Sequence, residues 1–215
     1  RRVQITSLVL LVLIGAINYI DRATLAIANP LIREELGLSV ADMGLLLSAF
    51  LGAYALAQLP AGLIVDRFGP RLVLALSLAI WSLAQMVGGF VRGFGQFFTT
   101  RAALGIGEAP QFPANVRVVC DWFGKGERGF ATGVWNSAST LGTAISAPLL
   151  TFLMLSFGWR TMFIIMGVVG LVVAATFYAL YRNPAQTDLT EDEKGYLADG
   201  ETPAPRQPIT LREWA

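Results

Sequence analysis

Residues 3–22 read VQITSLVLLVLIGAINYIDR, an unbroken run of uncharged, mostly apolar side chains that ends in an acid and a base. As a helix rising ~1.5 Å per residue, such a run is long enough to cross the ~30 Å hydrocarbon core of a bilayer. Arg1 and Arg2 before it resemble the start of a signal peptide, but Asp21-Arg22 at its end argues against cleavage there. Four more stretches, 43–65, 72–91, 129–159 and 161–181, contain no Asp, Glu, Lys or Arg. A sixth apolar stretch, 93–120, is interrupted by Arg101, Glu108 and Arg117 and reads as a span as well. The runs are continuous in Leu, Ala and Gly rather than alternating, so helices and not barrel strands are predicted. The expected fold class is an all-α membrane protein with six transmembrane helices.

Composition agrees. Of 215 residues, 54% are apolar and 14% charged, against ~25% charged in an average soluble domain. The chain has no histidine and one cysteine, Cys120, which excludes a Ser-His-Asp hydrolase and a His- or thiolate-ligated zinc centre. Gly124-Lys125-Gly126-Glu127-Arg128-Gly129 matches GxGxxG formally, but no strand precedes it and a span follows, so a dinucleotide site is rejected. No enzyme, cofactor, metal or nucleic-acid partner is expected. With six spans, ten Lys/Arg residues fall on one side and three (Arg33, Arg92, Arg160) on the other, which predicts both termini in the cytoplasm. Residues 1–182 form the predicted membrane unit. Residues 183–215 carry seven of the 15 acids and read as a solvated cytoplasmic linker, with a short amphipathic helix near 192–197. A first residue of Arg rather than Met, and a last segment that stops in mid-pattern, point to a piece of a longer product.

A charge at the bilayer centre costs at least ~2.5–3.5 kcal/mol on insertion scales, so buried charges should be paired or face a cavity. Helix 1 places Asp21 and Arg22 near mid-membrane, and helix 4 places Glu108 near its middle with Arg101 seven residues away on the same face. If these helices are neighbours, Asp21 lies level with Arg101, and Arg22 reaches toward Glu108. Static salt bridges that fix packing are one reading. The other is a switch, in which protonating a carboxylate frees an arginine for an anionic substrate. Neutral polar groups at the same depth, Tyr19, Tyr54, Gln58, Gln111, Asn115, Asn136, Ser137, Ser139 and Thr140, would line a site for a sugar-like ligand, with Tyr19, Tyr54, Gln111, Asn115, Asn136 and Ser139 as its substrate contacts. Gly105 and Gly107 beside Glu108 would let a neighbouring backbone approach, Gly129 and Gly133 form a small-xxx-small pair, and Pro110, Pro113 and Pro148 should bend helices.

The loop Gly62-Leu63-Ile64-Val65-Asp66-Arg67-Phe68-Gly69-Pro70-Arg71 closely resembles the signature loop between helices 2 and 3 of the major facilitator superfamily. Within that superfamily, residues 18–26 (NYIDRATLA), 101–109 (RAALGIGEA) and 121–128 (DWFGKGER) resemble the anion:cation symporter group, with Gly124 where a proline commonly follows Trp-Phe. The resemblance covers about residues 8–182. It implies one six-helix half, a 3+3 inverted repeat, of a twelve-helix carrier whose substrate lies between two halves. It further implies proton-coupled import of an organic anion across a bacterial inner membrane, with a sugar acid such as a hexonate or hexuronate as substrate. Aromatic or dicarboxylic acids, or proton-independent exchange, are the alternatives. By resemblance, Asp21 and Glu108 are the proton-coupling carboxylates, Arg22 is the substrate contact and Arg101 pairs with Asp21. Asp66, Arg67 and Arg71 are a cytoplasmic gate, with a static turn as the alternative. Such a half is expected to be inert in vesicle uptake without its C-terminal six-helix partner.

Overall fold

Local signals set where each apolar run starts and stops in the computed structural model, which describes residues 2–187 and 190–198. The helices are α1 (Arg2–Leu36), α2 (Val40–Phe68), α3 (Pro70–Gly88), α4 (Phe94–Glu108), α5 (Gln111–Trp122), α6 (Lys125–Leu180) and α7 (Glu191–Ala198), and no strand occurs among the described residues. Ser39 and Asp42 form a capping box at the start of α2: Asp42 N donates to Ser39 Oγ at 3.1 Å and Ser39 N donates to Asp42 Oδ2 at 2.8 Å. The tight link from α2 to α3 is Gly69 at φ 79°, a left-handed position open to glycine, followed by Pro70 in the first helical turn.

Six crossings result. α1, α2, α3 and α6 are each long and apolar enough to span a bilayer. α6 has 56 residues, about 84 Å of helix, far more than one crossing needs. It is broken at Gly158 (φ 79°, ψ 160°). The two limbs run in opposite directions: Trp159 and Arg160 lie beside Glu35 at the end of α1, whereas Tyr181 returns to Asp121 and Trp122, next to where α6 began. α4 and α5, with 15 and 12 residues, are each short but reach about 40 Å together. Ala109 and Pro110 between them keep helical dihedrals. The helix is interrupted there because Pro110 and Pro113 have no N–H to donate back. Pro148, by contrast, is carried inside the first limb of α6 without leaving helical geometry.

The packing is pseudo-symmetric. α2 lies along α4 as the first limb of α6 lies along α1, and α3 faces the second limb. Each contact is seated on glycine. A Cβ at Gly142 would stand 2.8 Å from the Ala16 carbonyl oxygen, and one at Gly167 would stand 2.6 Å from the Ser82 carbonyl oxygen. A Cβ at Gly105 would collide with the Phe50 carbonyl oxygen, and one at Gly107 would stand 2.8 Å from Trp81 N, so both glycines beside Glu108 do admit a neighbouring backbone. Gly129 and Gly133 do not: nothing lies within 4 Å of a Cβ at either, because that face of α6 points away from the bundle. Two buried clusters, one with Trp81, Trp122 and Phe177 and the other with Phe97, Trp159 and Phe163, fill the interior. Leu56, Leu59, Leu63, Leu155 and Val172 stay exposed on the outside, as a surface suited to lipid or to another membrane helix requires.

After Tyr181 the chain leaves the bundle through a 3-10 turn (Pro184–Gln186). α7 covers the predicted 192–197 helix. Thr190 caps it, and its N–H and hydroxyl hold the Glu193 carboxyl below the usual range. The Tyr196 hydroxyl donates to Glu127 and accepts from Gly124 N at 3.2 Å, tying α7 to the start of α6. The predicted linker beyond residue 198 lies outside the described residues.

Gly167→Ala should force α3 from α6 and lower stability by about 1–3 kcal/mol, read as a fall in the melting temperature of detergent-solubilised protein. Gly133→Ala, with nothing near it, should be neutral or slightly stabilising.

Candidate functional site

The glycines of α4 bring its one buried acid against α1. Glu108 is fully buried, and Arg22 Nε donates to its Oε2 at 2.8 Å. The Arg22 side chain keeps 30% of its surface exposed. Its guanidinium carbon sits among the rings of Tyr19, Phe50 and Tyr54, at 5.4, 5.2 and 5.1 Å from their centroids. Three aromatic rings around one cation fix its direction, and the Tyr54 side chain stands within reach of its N–H groups. The second Glu108 oxygen makes no hydrogen bond, although the Asn18 amide stands beside the carboxyl.

The second charge pair expected from the sequence is arranged differently. Asp21 and Arg101 are both buried and near one another, yet no ion pair joins them. Arg101 Nη2 donates instead to Gln85 Oε1 at 3.2 Å, and the Phe97 and Phe163 rings flank its guanidinium at 5.3 and 5.1 Å. Gln85 Nε2 passes the connection to Thr24 Oγ1 at 2.9 Å, and Thr24 donates to the Asp21 carbonyl at 2.6 Å. The predicted contact from Arg101 to Asp21 therefore runs through α3, because Gln85 is in place to take the guanidinium. Both Asp21 carboxylate oxygens are unbonded, with the Trp81 indole N–H alongside. Sequence reasoning missed Gln85; the available signal was an uncharged polar residue well inside the apolar run 72–91.

Arg22 borders a cavity with about 420 Å³ of unfilled space, part of it open to the surroundings. Its wall includes Tyr19 and Arg22 from α1, Tyr54 from α2, Gln111 and Asn115 from α5, and Asn136 and Ser139 from α6. Seven of the ten residues picked from the sequence at this depth thus converge from four helices, whereas Gln58, Ser137 and Thr140 do not border the cavity. Asn18, Phe112 and Trp135 border it too and were not picked; the aromatic residues carried no signal, since either could have been core. Of the groups lining it, Ser139 Oγ donates to the Asn136 carbonyl at 2.7 Å, whereas both amide atoms of Asn115 and the Trp135 Nε1 have no partner.

At the end of the bundle that carries the α2–α3 link, Asp66 pairs with Arg117 at 3.3 Å, and Arg117 pairs with Asp121 at 2.8 Å. Arg71 donates to the Tyr178 carbonyl at 2.8 Å and to Gln186 Oε1 at 3.2 Å, and it stacks on the Tyr178 ring. Arg67 lies over the Phe68 ring. Asp66 and Arg71 thus tie α2 to α5 and α3 to the end of α6. At the opposite end Arg160 pairs with Glu35 at 2.9 Å and donates to the carbonyls of Gly89 and Val91, tying α1, the α3–α4 link and α6 together.

The chain and its fold have known relatives. Residues 11–214 match the profile of the Major Facilitator Superfamily. The chain is 49% identical over 214 residues to the "Probable L-galactonate transporter" of Escherichia coli (strain K12), covering 100% of this chain and 47% of that protein. It is 33% identical to the "Hexuronate transporter" of Bacillus subtilis (strain 168), over 87% of this chain and 44% of that one. The chain spans about half the length of the curated relatives it matches. Among solved structures it resembles a bacterial homologue of the human lysosomal transporter Spinster in an inward-facing, unoccupied conformation, with TM-score 0.78, 26% identity and coverage of 94% of this chain and 47% of that one. The inward-open xylose transporter XylE of Escherichia coli shares the fold, with TM-score 0.74 at 17% identity, over 91% of this chain and 52% of that one.

Gln85→Leu should strand Arg101 Nη2 and lower stability by about 1–3 kcal/mol, measured by unfolding in detergent. Glu35→Gln, which breaks an exposed pair, should cost less than about 1 kcal/mol.

Proposed function

The chain belongs to the Major Facilitator Superfamily, and from that premise we propose that it is the N-terminal half of a carrier that imports a sugar acid together with a proton. The observation that carries the proposal is the single Arg22–Glu108 bond at the wall of a cavity lined by neutral hydrogen-bonding groups. Arg22 is the anchor for a substrate carboxylate, and the amides and hydroxyls around it suit a polyhydroxy chain. Relatives named for galactonate, galactarate or D-glucarate, and hexuronate support this substrate class.

Charge balance supplies the coupling. In the empty site Glu108 neutralises Arg22. When Glu108 takes a proton it stops being an anionic acceptor, and the Arg22 N–H it held turns to the incoming carboxylate. Arg22 is then neutralised by substrate instead. Both the empty and the doubly loaded site have no net charge, whereas proton alone leaves +1 and substrate alone leaves −1. A net charge in a low-dielectric interior is penalised, so the two neutral states are those that reorient. Asp21 and Arg101, enclosed close by, leave this balance unchanged as long as Asp21 keeps one protonation state; a proton taken up there would be a second one, added to the count at Glu108.

In the complete carrier, residues from 183 onward lead to a second six-helix half that supplies the other wall of the cavity. The end bearing Asp66, Arg67 and Arg71 faces the cytoplasm of a bacterial cell across the inner membrane. There the Asp66–Arg117–Asp121 chain and the Arg71 contacts form the inner gate when the carrier opens outward.

With the complete carrier in vesicles, Glu108→Gln should abolish accumulation driven by a proton gradient and leave counterflow exchange measurable. Accumulation in that variant would remove Glu108 from coupling. Uptake by the wild type should rise as the outside is acidified, and this dependence should disappear in Glu108→Gln. Arg22→Ala should weaken substrate binding about a hundredfold; unchanged affinity, measured by titration calorimetry, would remove it from the site.

A further inference from the structure

Away from its ion pair, the cavity borders polar groups that nothing in the chain satisfies. Asn115 is fully buried, and neither Nδ2 nor Oδ1 has a hydrogen-bond partner. The Trp135 Nε1 likewise has no acceptor. Both residues border the one cavity, and Trp135 packs edge-on at 5.5 Å between centroids against Phe112, which lies one helical turn before Asn115. An enclosed amide without partners is costly, and simple packing would be served by leucine without that cost.

The position of Asn115 along the cavity is a ruler. It lies seven residues after Glu108, across the α4–α5 joint whose Ala109 and Pro110 keep helical dihedrals, and so about 10 Å further along the span. Arg22 is bonded to Glu108 and so marks one end of this interval. An extended six-carbon acid measures about 6.5 Å from C1 to C6 on ordinary bond lengths. With a carboxylate oxygen and a hydrogen bond added at one end, and a hydroxyl and its bond at the other, it reaches from Arg22 to Asn115. Asn115 offers two donors and an acceptor and Trp135 one donor, which together can satisfy a hydroxyl in both its roles. Arg22 is the one cation among the described residues that line the cavity.

Resting on the sugar-acid reading of the same site, we infer that Asn115, backed by Trp135, is the specificity-determining subsite for the hydroxyl end of a six-carbon acid held at Arg22 by its carboxylate. A site built to hydrogen-bond a hydroxyl rejects the analogue that lacks it, because its own polar groups are then left unpaired. The test is titration calorimetry of the detergent-solubilised complete carrier with galactonate and with 6-deoxygalactonate, which differ only in the terminal hydroxyl. The wild type should prefer galactonate by at least about tenfold. In Asn115→Leu the ratio should collapse to near one while affinity for 6-deoxygalactonate stays within about threefold of the wild type. Asn115→Ala, which adds no bulk, gives the same readout where the leucine variant does not fold. A wild-type ratio of one, or a ratio that survives the substitutions, would overturn the assignment while leaving Arg22 as anchor. No galactonate binding by the wild type would overturn this subsite, and no binding of galactonate, galactarate or a hexuronate would overturn the sugar-acid reading itself.

Discussion

One bond between an arginine on α1 and a glutamate on α4 sets the terms for the rest of the bundle. A buried carboxylate in hydrocarbon is tolerable only beside a cation, and the cation must come from another helix. Arg22 Nε reaches Glu108 Oε2 at 2.8 Å, which requires α4 to settle deep in the bundle. Gly105 and Gly107 make that possible, since a side chain at either would strike the backbone of α2 or α3. The ion pair and the two glycines are therefore one device. The glycines lower α4 into place, and the pair holds it at the depth where the cavity opens.

The same economy explains what was legible in the sequence. Charge-free runs revealed the spans because hydrocarbon excludes charge whatever the tertiary fold. They also hid how the sixth span is made: Arg101, Glu108 and Arg117 interrupt it, and it is built from two helices with prolines at the joint. The residues of the cavity wall were legible for a related reason. In an apolar helix a Tyr, Gln or Asn has to be satisfied somewhere, and seven of the ten picked at one depth do converge on one space. Trp135 and Phe112 were not legible, since an aromatic side chain serves core and cavity equally well. The Arg101–Asp21 contact was misplaced because depth along a helix says nothing about rotation. Gln85 on α3 proved to be the nearer acceptor. The small-xxx-small pair Gly129 and Gly133 failed for the same reason, lying on a face with no neighbour in this chain.

Pseudo-symmetry relates the two triplets of spans, but the charges do not follow it evenly. Asp21 and Arg22 are adjacent on α1 and so point to different faces, one into the bundle and one toward the cavity. Arg101 and Glu108 share a face of α4 and are separated by two turns. The result is two oppositely charged sets at different positions. One is enclosed among Phe97, Phe163, Trp81 and Gln85; the other has its cation half open to the cavity.

That asymmetry bears on which carboxylate, in the proposed carrier, senses the substrate directly. Glu108 and the cavity share Arg22, so any change in the charge of Glu108 alters at once what Arg22 offers to an anion. Asp21 shares no cation with the cavity, although its charge is felt by Glu108. Its oxygens touch neither Arg22 nor the cavity, and its connection to Arg101 passes through its own backbone carbonyl, Thr24 and Gln85. A change of charge at Asp21 is therefore felt in the contacts among α1, α3 and α4 and, through the field between the two buried acids, at Glu108. In the proposed carrier Glu108, which shares Arg22 with the cavity, is the carboxylate that exchanges a proton for substrate. Asp21 stands where it can bias how the helices sit, which is the motion that a rocking carrier must make when its site changes sides.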